Sequence, residues 1–256
     1  MKTLPAIIIA VTLISGTALT GGSAAAAPGQ RSGPHTGCAL PVFGPGADYH
    51  PTINPSDFSP NVDNPWFPLK PGTTFVYQGR KDGETAVDIF APSHRTKLID
   101  GVQTRVVNDR LVQNGVLEER TTDYYAQDRC GNVWYFGEDT AELDRYGHVV
   151  SRAGSFHAGV NGAQPGVYMQ AHPTLGRTFR QEWDAGNAED QFSAIDKHAD
   201  ITVPYGTFHN ALRTKETTAL EPGVLDNKVY VRGLGQVLEV TLHGGDERFS
   251  LVDVLR

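Results

Sequence analysis

Two dipeptides constrain this chain more than any other feature. Asp100-Gly101 separates the runs 97–99 and 102–107, and Asn114-Gly115 separates 111–113 and 116–128. Both pairs supply the left-handed residues of a type I′ turn, whose twist suits two paired strands. Each therefore reverses the chain at once, and strands joined this way are antiparallel neighbours. Further β-branched and aromatic runs extend the pattern at 73–78, with a turn at Gly79, and at 84–90, ending at Pro92. Others follow at 132–137, 178–183, 190–195, 201–203, 208–217, 228–231, 236–243 and 248–255. No long amphipathic helix interrupts them. A sheet of about a dozen strands tends to curl or close. The predicted fold is mainly β: a single curved antiparallel sheet or barrel-like meander, with a β-sandwich as the alternative. The 28 glycines and 16 prolines, together above the roughly 12% of an average chain, fit many turns.

The first 26 residues have the layout of an export signal. Lys2 gives the positive start, 4–19 is a short apolar stretch, and 23–27 offers the small residues read by signal peptidase. The apolar stretch is shorter than the roughly 20 residues a bilayer needs, so stable membrane insertion is not expected and the expected location is secreted, extracellular. Residues 27–72 read as a flexible leader followed by a Pro-rich arm. In it, Trp66, Phe67 and Leu69 are too apolar to leave in water and are expected to plug one end of a core. Residues 73–256 form the β domain, with a Gly-rich insertion over 139–176 in which Gly159, Gly162 and Gly166 could hinge a lid. Two cysteines in an exported chain most simply pair, so Cys38 and Cys130 are expected to form a disulfide tying the arm to a turn between strands.

The net charge is −7 and no run of Lys or Arg occurs, which argues against nucleic acid as a partner. GxSxG, Walker, complete GxGxxG, HExxH and EF-hand patterns are missing, as is zinc-type cysteine spacing, which lowers the odds of the commonest hydrolase and nucleotide chemistries. No cofactor is implied by these patterns.

Three groups of residues remain as candidates. Asp123, Tyr125 and Gln127 share one strand face, and Trp134, Phe136 and Glu138 share a face of the next. Cross-strand packing accounts for such aromatics. An aromatic-lined pocket for an apolar or aromatic small molecule accounts for them too, with Tyr125, Gln127, Trp134, Phe136, Tyr168 and Trp183 as its lining. Glu182, Glu189 and Asp190 form a carboxylate-rich region beside Trp183. With Asp123, Glu138 and Glu216 they could converge inside a barrel as acid and base, or stay on solvated edges. Of nine histidines, His157 and His172 flank the Gly-rich segment and, with Glu182, make a possible zinc or copper site.

Val203-Pro204-Tyr205-Gly206-Thr207-Phe208, followed by Tyr230-Val-Arg-Gly233-Leu-Gly235-Gln-Val-Leu-Glu-Val240, resembles bacterial envelope proteins of the lipoprotein-carrier-like half-barrel type. That resemblance covers only the C-terminal part. It implies a strongly curved antiparallel sheet wrapped around a helix or an apolar ligand. The stretches 123–128 and 132–138 are similar to the central region of secreted actinobacterial proteins of unknown function, a resemblance that implies no activity. Three functions are therefore expected to compete: a secreted barrel-like binding protein for an apolar or aromatic ligand, an extracellular carboxylate- or metal-dependent enzyme, and a cell-envelope interaction protein without a small ligand. An apolar hollow, convergent buried carboxylates or a solid interior would respectively favour each.

Overall fold

The computed structural model describes residues 39–256; the expected export signal, the leader and Cys38 lie outside the described residues. Sixteen strands follow one another. They begin with β1 (Phe58–Ser59), β2 (Thr74–Lys81), β3 (Glu84–Ile99), β4 (Val102–Gln113), β5 (Val116–Asp128) and β6 (Val133–Leu143). Next come the short β7 (Val149–Ser151), β8 (Phe156–His157), β9 (Gln164–Met169), β10 (Thr178–Arg180) and β11 (Glu182–Trp183). The last are β12 (Asp190–Val203), β13 (Gly206–Thr218), β14 (Leu225–Val231), β15 (Gly235–His243) and β16 (Arg248–Leu255).

They make one antiparallel sheet in the order β10-β12-β13-β14-β15-β16-β2-β3-β4-β5-β6-β9-β11, nearly closed into a barrel. Closure occurs at a seam. β10 pairs with β12, β11 pairs with β9, and only Gln181 separates β10 from β11, so one segment holds both ends of the sheet. Gly166 of β9 lies directly against this segment. A Cβ there would sit 2.2 Å from the Gln181 carbonyl carbon, so glycine is what permits the contact.

The two diagnostic turns are present. Asp100-Gly101 and Asn114-Gly115 both have positive φ, at 48° and 75° and at 51° and 80°, and join β3 to β4 and β4 to β5. Asp82-Gly83 is a third such turn, between β2 and β3. The turn expected at Gly79 is therefore corrected. Gly79 is inside β2, where a Cβ would meet the Arg248 carbonyl oxygen of β16 at 1.6 Å. Pro92 also does not end a strand. β3 runs on to Ile99, and its register with β4 shifts between Pro92 and Thr96, the irregularity a missing N–H donor requires. The 139–176 segment is not a single insertion. Residues up to Leu143 belong to β6, while β7, β8 and β9 all pair back onto β6.

Side chains alternate across the sheet and so form separate inner and outer clusters. Val107, Tyr125, Tyr135, Phe156, Leu212 and Tyr230 point inward, joined by Trp66, Phe67 and Leu69 of the arm. Val106, Tyr124, Trp134, Phe136, Phe179 and Phe192 point outward, and the arm residues Leu40, Ile53 and Phe58 cover them. The arm is held by its polar groups. Asn64 accepts from the Trp66 and Phe67 amides at 2.8 and 3.1 Å and donates to the Gly131 carbonyl at 2.7 Å. Among the described residues no helix is long and apolar enough to cross a membrane.

Candidate functional site: an aromatic and acidic cavity

Inside the barrel lies a cavity of about 310 Å³, a size at the lower end for small-molecule sites. Its apolar wall comes from Phe75 and Tyr77 of β2, Phe90 of β3, Leu111 of β4 and Tyr125 of β5, with Phe67 of the arm and Tyr168 of β9. Phe67 is the hub: its ring centroid is 4.6 Å from Tyr168, 5.4 Å from Tyr125 and 5.9 Å from Phe90. Tyr125 and Tyr135 stack at 4.8 Å. Such pairs contribute about 1 kcal/mol each beyond the area they bury.

The polar wall is built by the same alternation. Glu119, Thr121, Asp123 and Tyr125 are successive inward residues of β5, and Asp88 and Asp109 stand on β3 and β4. Glu138 reaches the cavity through a β-bulge in β6. Tyr124 pairs with Gly137 but Tyr125 pairs with Tyr135, leaving Phe136 as the extra residue. Gly137 at φ 137° accommodates the bend. Both Tyr135 and Glu138 therefore face inward, three positions apart, while Phe136 faces out.

The carboxyls interact closely. The Tyr135 hydroxyl lies 2.7 Å from Asp123 Oδ1 and 3.1 Å from Glu138 Oε2, and has one proton to give to the two. The other Asp123 oxygen, Oδ2, is buried and has no hydrogen-bond partner among the described residues. Burial, with the Asp109 and Glu138 charges, pushes the Asp123 carboxyl well above the usual carboxylate range. Burial likewise raises Glu138 to about 8. Asp88 and Asp109 hydrogen-bond to one another. Burial and the Asp109 charge raise Asp88, and burial raises Asp109, the behaviour of two carboxyls sharing a proton.

A second cavity of about 330 Å³ has Glu138, Glu182, Asp190, Lys228 and Glu239 in common with the first and is bordered also by Glu216. Lys228 Nζ is 3.0 Å from Glu216 and 3.3 Å from Glu239. Burial works against its ammonium, but these two carboxylates outweigh burial and raise its pKa, so Lys228 is charged. Burial raises Glu216 in spite of Lys228. Glu182 is raised well above its ordinary value by burial and by Asp190 and Glu138.

Of the residues singled out in the sequence, Tyr125, Tyr168, Glu182 and Asp190 lie on the first cavity, together with Asp123 and Glu138. The rest do not. Glu189 accepts from the Gly186 amide at 2.8 Å in the loop before β12. Gln127 exchanges hydrogen bonds with Asp63 at 2.9 and 2.6 Å and so fastens the arm. Trp134 and Phe136 are outward: Phe58 packs edge-on to both, and Trp134 Nε1 donates to Asp128 at 3.0 Å. Trp183 packs on Gly46, with Arg180 4.4 Å above its ring.

The histidine pair is also corrected. His157 faces outward against Asp139 at 3.2 Å, in a cluster with Lys97 and Tyr124. His172 is exposed. No group of three or more His, Cys, Asp or Glu residues that could hold a metal forms among the described residues. Cys130 lies in the turn between β5 and β6, and its expected partner Cys38 is outside the described residues. Asp88, Asp109, Lys228 and Glu239 were not singled out in the sequence. Charged residues on the cavity side of strands otherwise rich in Val, Leu and Tyr were the available signal.

No protein-family model matches the chain, and no curated protein matches it. A crystal structure of a protein from Parabacteroides distasonis, provisionally described as a lipoprotein, aligns with 75% of this chain and 100% of its own, at 12% identity and a TM-score of 0.41.

Proposed function

We propose that this is a secreted protein that binds a small molecule with an aromatic or apolar body inside its barrel. The observation that supports it is the cavity itself: it is hollow at the place where the rings of Phe67, Phe90, Tyr125 and Tyr168 converge. Aromatic rings offer large contact area at little cost in side-chain freedom.

A neutral environment-sensitive dye, Nile red, tests the reading. Native protein is expected to bind it saturably at one site. Tyr168→Ala should weaken that binding at least tenfold, and Trp134→Ala, on the outer face, should lower the melting temperature without that loss. Absence of saturable binding, or a greater loss with Trp134→Ala, overturns the reading.

The second reading is a carboxylate-dependent extracellular enzyme. It is favoured by the Asp88–Asp109 pair, in which burial and shared protonation leave one acid beside one base. Conversion of a bound ligand to a new species, read by mass spectrometry, separates an enzyme from a carrier.

A further inference from the structure

The charges around the cavity are lopsided. Its lining has nine acidic residues, Asp123 and Glu138 among them, against only two basic ones, Lys81 and Lys228. Lys228 is already committed to Glu216 and Glu239. The imbalance alone would be satisfied by protons. One atom asks for more: Asp123 Oδ2 is buried without a partner among the described residues, on a residue that lines the open space. A buried carboxyl oxygen without a partner destabilises the fold, and a ligand that donates there removes that cost.

What surrounds that oxygen selects the donor. Asp123 is opposite Glu138 across β5 and β6, and the hydroxyl of Tyr135 sits between the two carboxyls. The Tyr135 ring is stacked on Tyr125, and the Tyr168 ring is 5.0 Å from Tyr125 and 5.9 Å from Tyr135. A pair of carboxyls beside ring faces favours an ammonium group, which displaces the proton that burial holds on the pair and gains charge-assisted hydrogen bonds and cation–π attraction together. A bare metal ion is a poorer fit, because no three ligating side chains converge among the described residues. An anionic ligand is less favoured, because acidic groups outnumber the two lysines and Lys228 is already paired with Glu216 and Glu239.

We propose that the ligand of this cavity is an organic cation, a protonated amine on an aromatic or apolar body, whose ammonium group donates to Asp123 and Glu138 while its body lies among Phe67, Tyr125 and Tyr168. This inference rests on the reading of the cavity as a ligand site. It adds the charge of the ligand and the end at which that charge is held.

The test is calorimetric titration of the full secreted chain, at fixed ionic strength and pH 7.5, with three probes of one shape: 2-phenylethylammonium, 2-phenylethanol and phenylacetate. The ammonium is expected to bind at least tenfold more tightly than the alcohol, and phenylacetate more weakly than either. Asp123→Asn, nearly the same in shape, should bring the amine-to-alcohol ratio close to one, and Glu138→Gln should lower it in part. Asp139→Asn removes a carboxylate from the outer face and should leave the ratio as in the native protein. Melting curves of each variant establish that it is folded. Equal binding of amine and alcohol, or a ratio unchanged in both cavity variants, overturns the proposal. If Nile red still binds in that event, the ligand-site reading survives and only the cationic ligand is lost. If neither dye nor amine binds, both fall.

Discussion

Stability should fall, not rise, as the pH is taken from 5 to 8, and Glu138 should be a principal cause. Burial holds its carboxyl at about 8 in the folded protein, against 4.5 when exposed. Between those values the folded chain keeps a proton that the unfolded chain has released. The stability associated with that proton is complete below pH 4.5 and is lost as the pH rises toward 8. For one such group the loss at pH 8 is about 4 kcal/mol. Glu138 is only half-buried in the barrel wall, and solvent in the cavity reduces this to roughly 2 kcal/mol. For a chain of this size each kcal/mol moves the melting temperature by about 2–4 °C.

Asp88, Asp123 and Glu182 are raised by burial as well and act in the same direction. Asp139 and Asp144, which are held low by Tyr124 and Lys97 and by His148, act below the ordinary carboxylate range and outside this window. Native protein in amine-free buffers should therefore melt at least about 5 °C lower at pH 8 than at pH 5. Glu138→Gln keeps an acceptor for Tyr135 but cannot ionise. It should recover about 5 °C at pH 8 and change little at pH 5. A native profile that is flat or rises from pH 5 to 8 would refute the reasoning, as would a Glu138→Gln profile parallel to that of the native chain.

Gly166→Ala places a Cβ 2.2 Å from the Gln181 backbone at the barrel seam, and urea unfolding should show a loss of about 3 kcal/mol. Peptide mapping without reductant should find Cys38 joined to Cys130. Two free thiols in protein recovered after export would reject that pairing.

The fold could be read in the sequence because its turns are local. Asp100-Gly101 and Asn114-Gly115 each bring their own left-handed pair, so two hairpins need nothing from the rest of the chain. Strand lengths were harder to read. The runs 84–90 and 97–99 are one strand, β3, bent at Pro92 and held in the sheet by pairing with β4 on both sides of the bend. Gly79 reads locally as a turn, yet it is glycine because β16 passes against it. Proline and glycine mark places where the backbone departs from the ordinary. Whether the departure is a turn or a close approach depends on a partner strand distant in sequence.

The site was half legible for the same reason. Alternation correctly groups Asp123 with Tyr125, because β5 is regular over that stretch and both line the cavity. On β6 alternation groups Trp134, Phe136 and Glu138, and there it fails at one residue. The bulge at Phe136-Gly137 shifts the pattern by one, so Trp134 and Phe136 stay outside under Phe58 while Glu138 crosses to the inside. A lone glycine within an aromatic strand is the trace of that shift in the sequence. Its consequence is chemical. Without the extra residue, Glu138 would share the outer face with Trp134, and Asp123 would be opposite the neighbouring side chain instead. The bulge brings the second carboxyl to within hydrogen-bonding reach of the Tyr135 hydroxyl. It thereby turns one buried acid into a pair with an oxygen left unpartnered. The most consequential feature of the interior thus comes from an irregularity one residue long, and that irregularity separates a packed aromatic wall from one able to recognise charge.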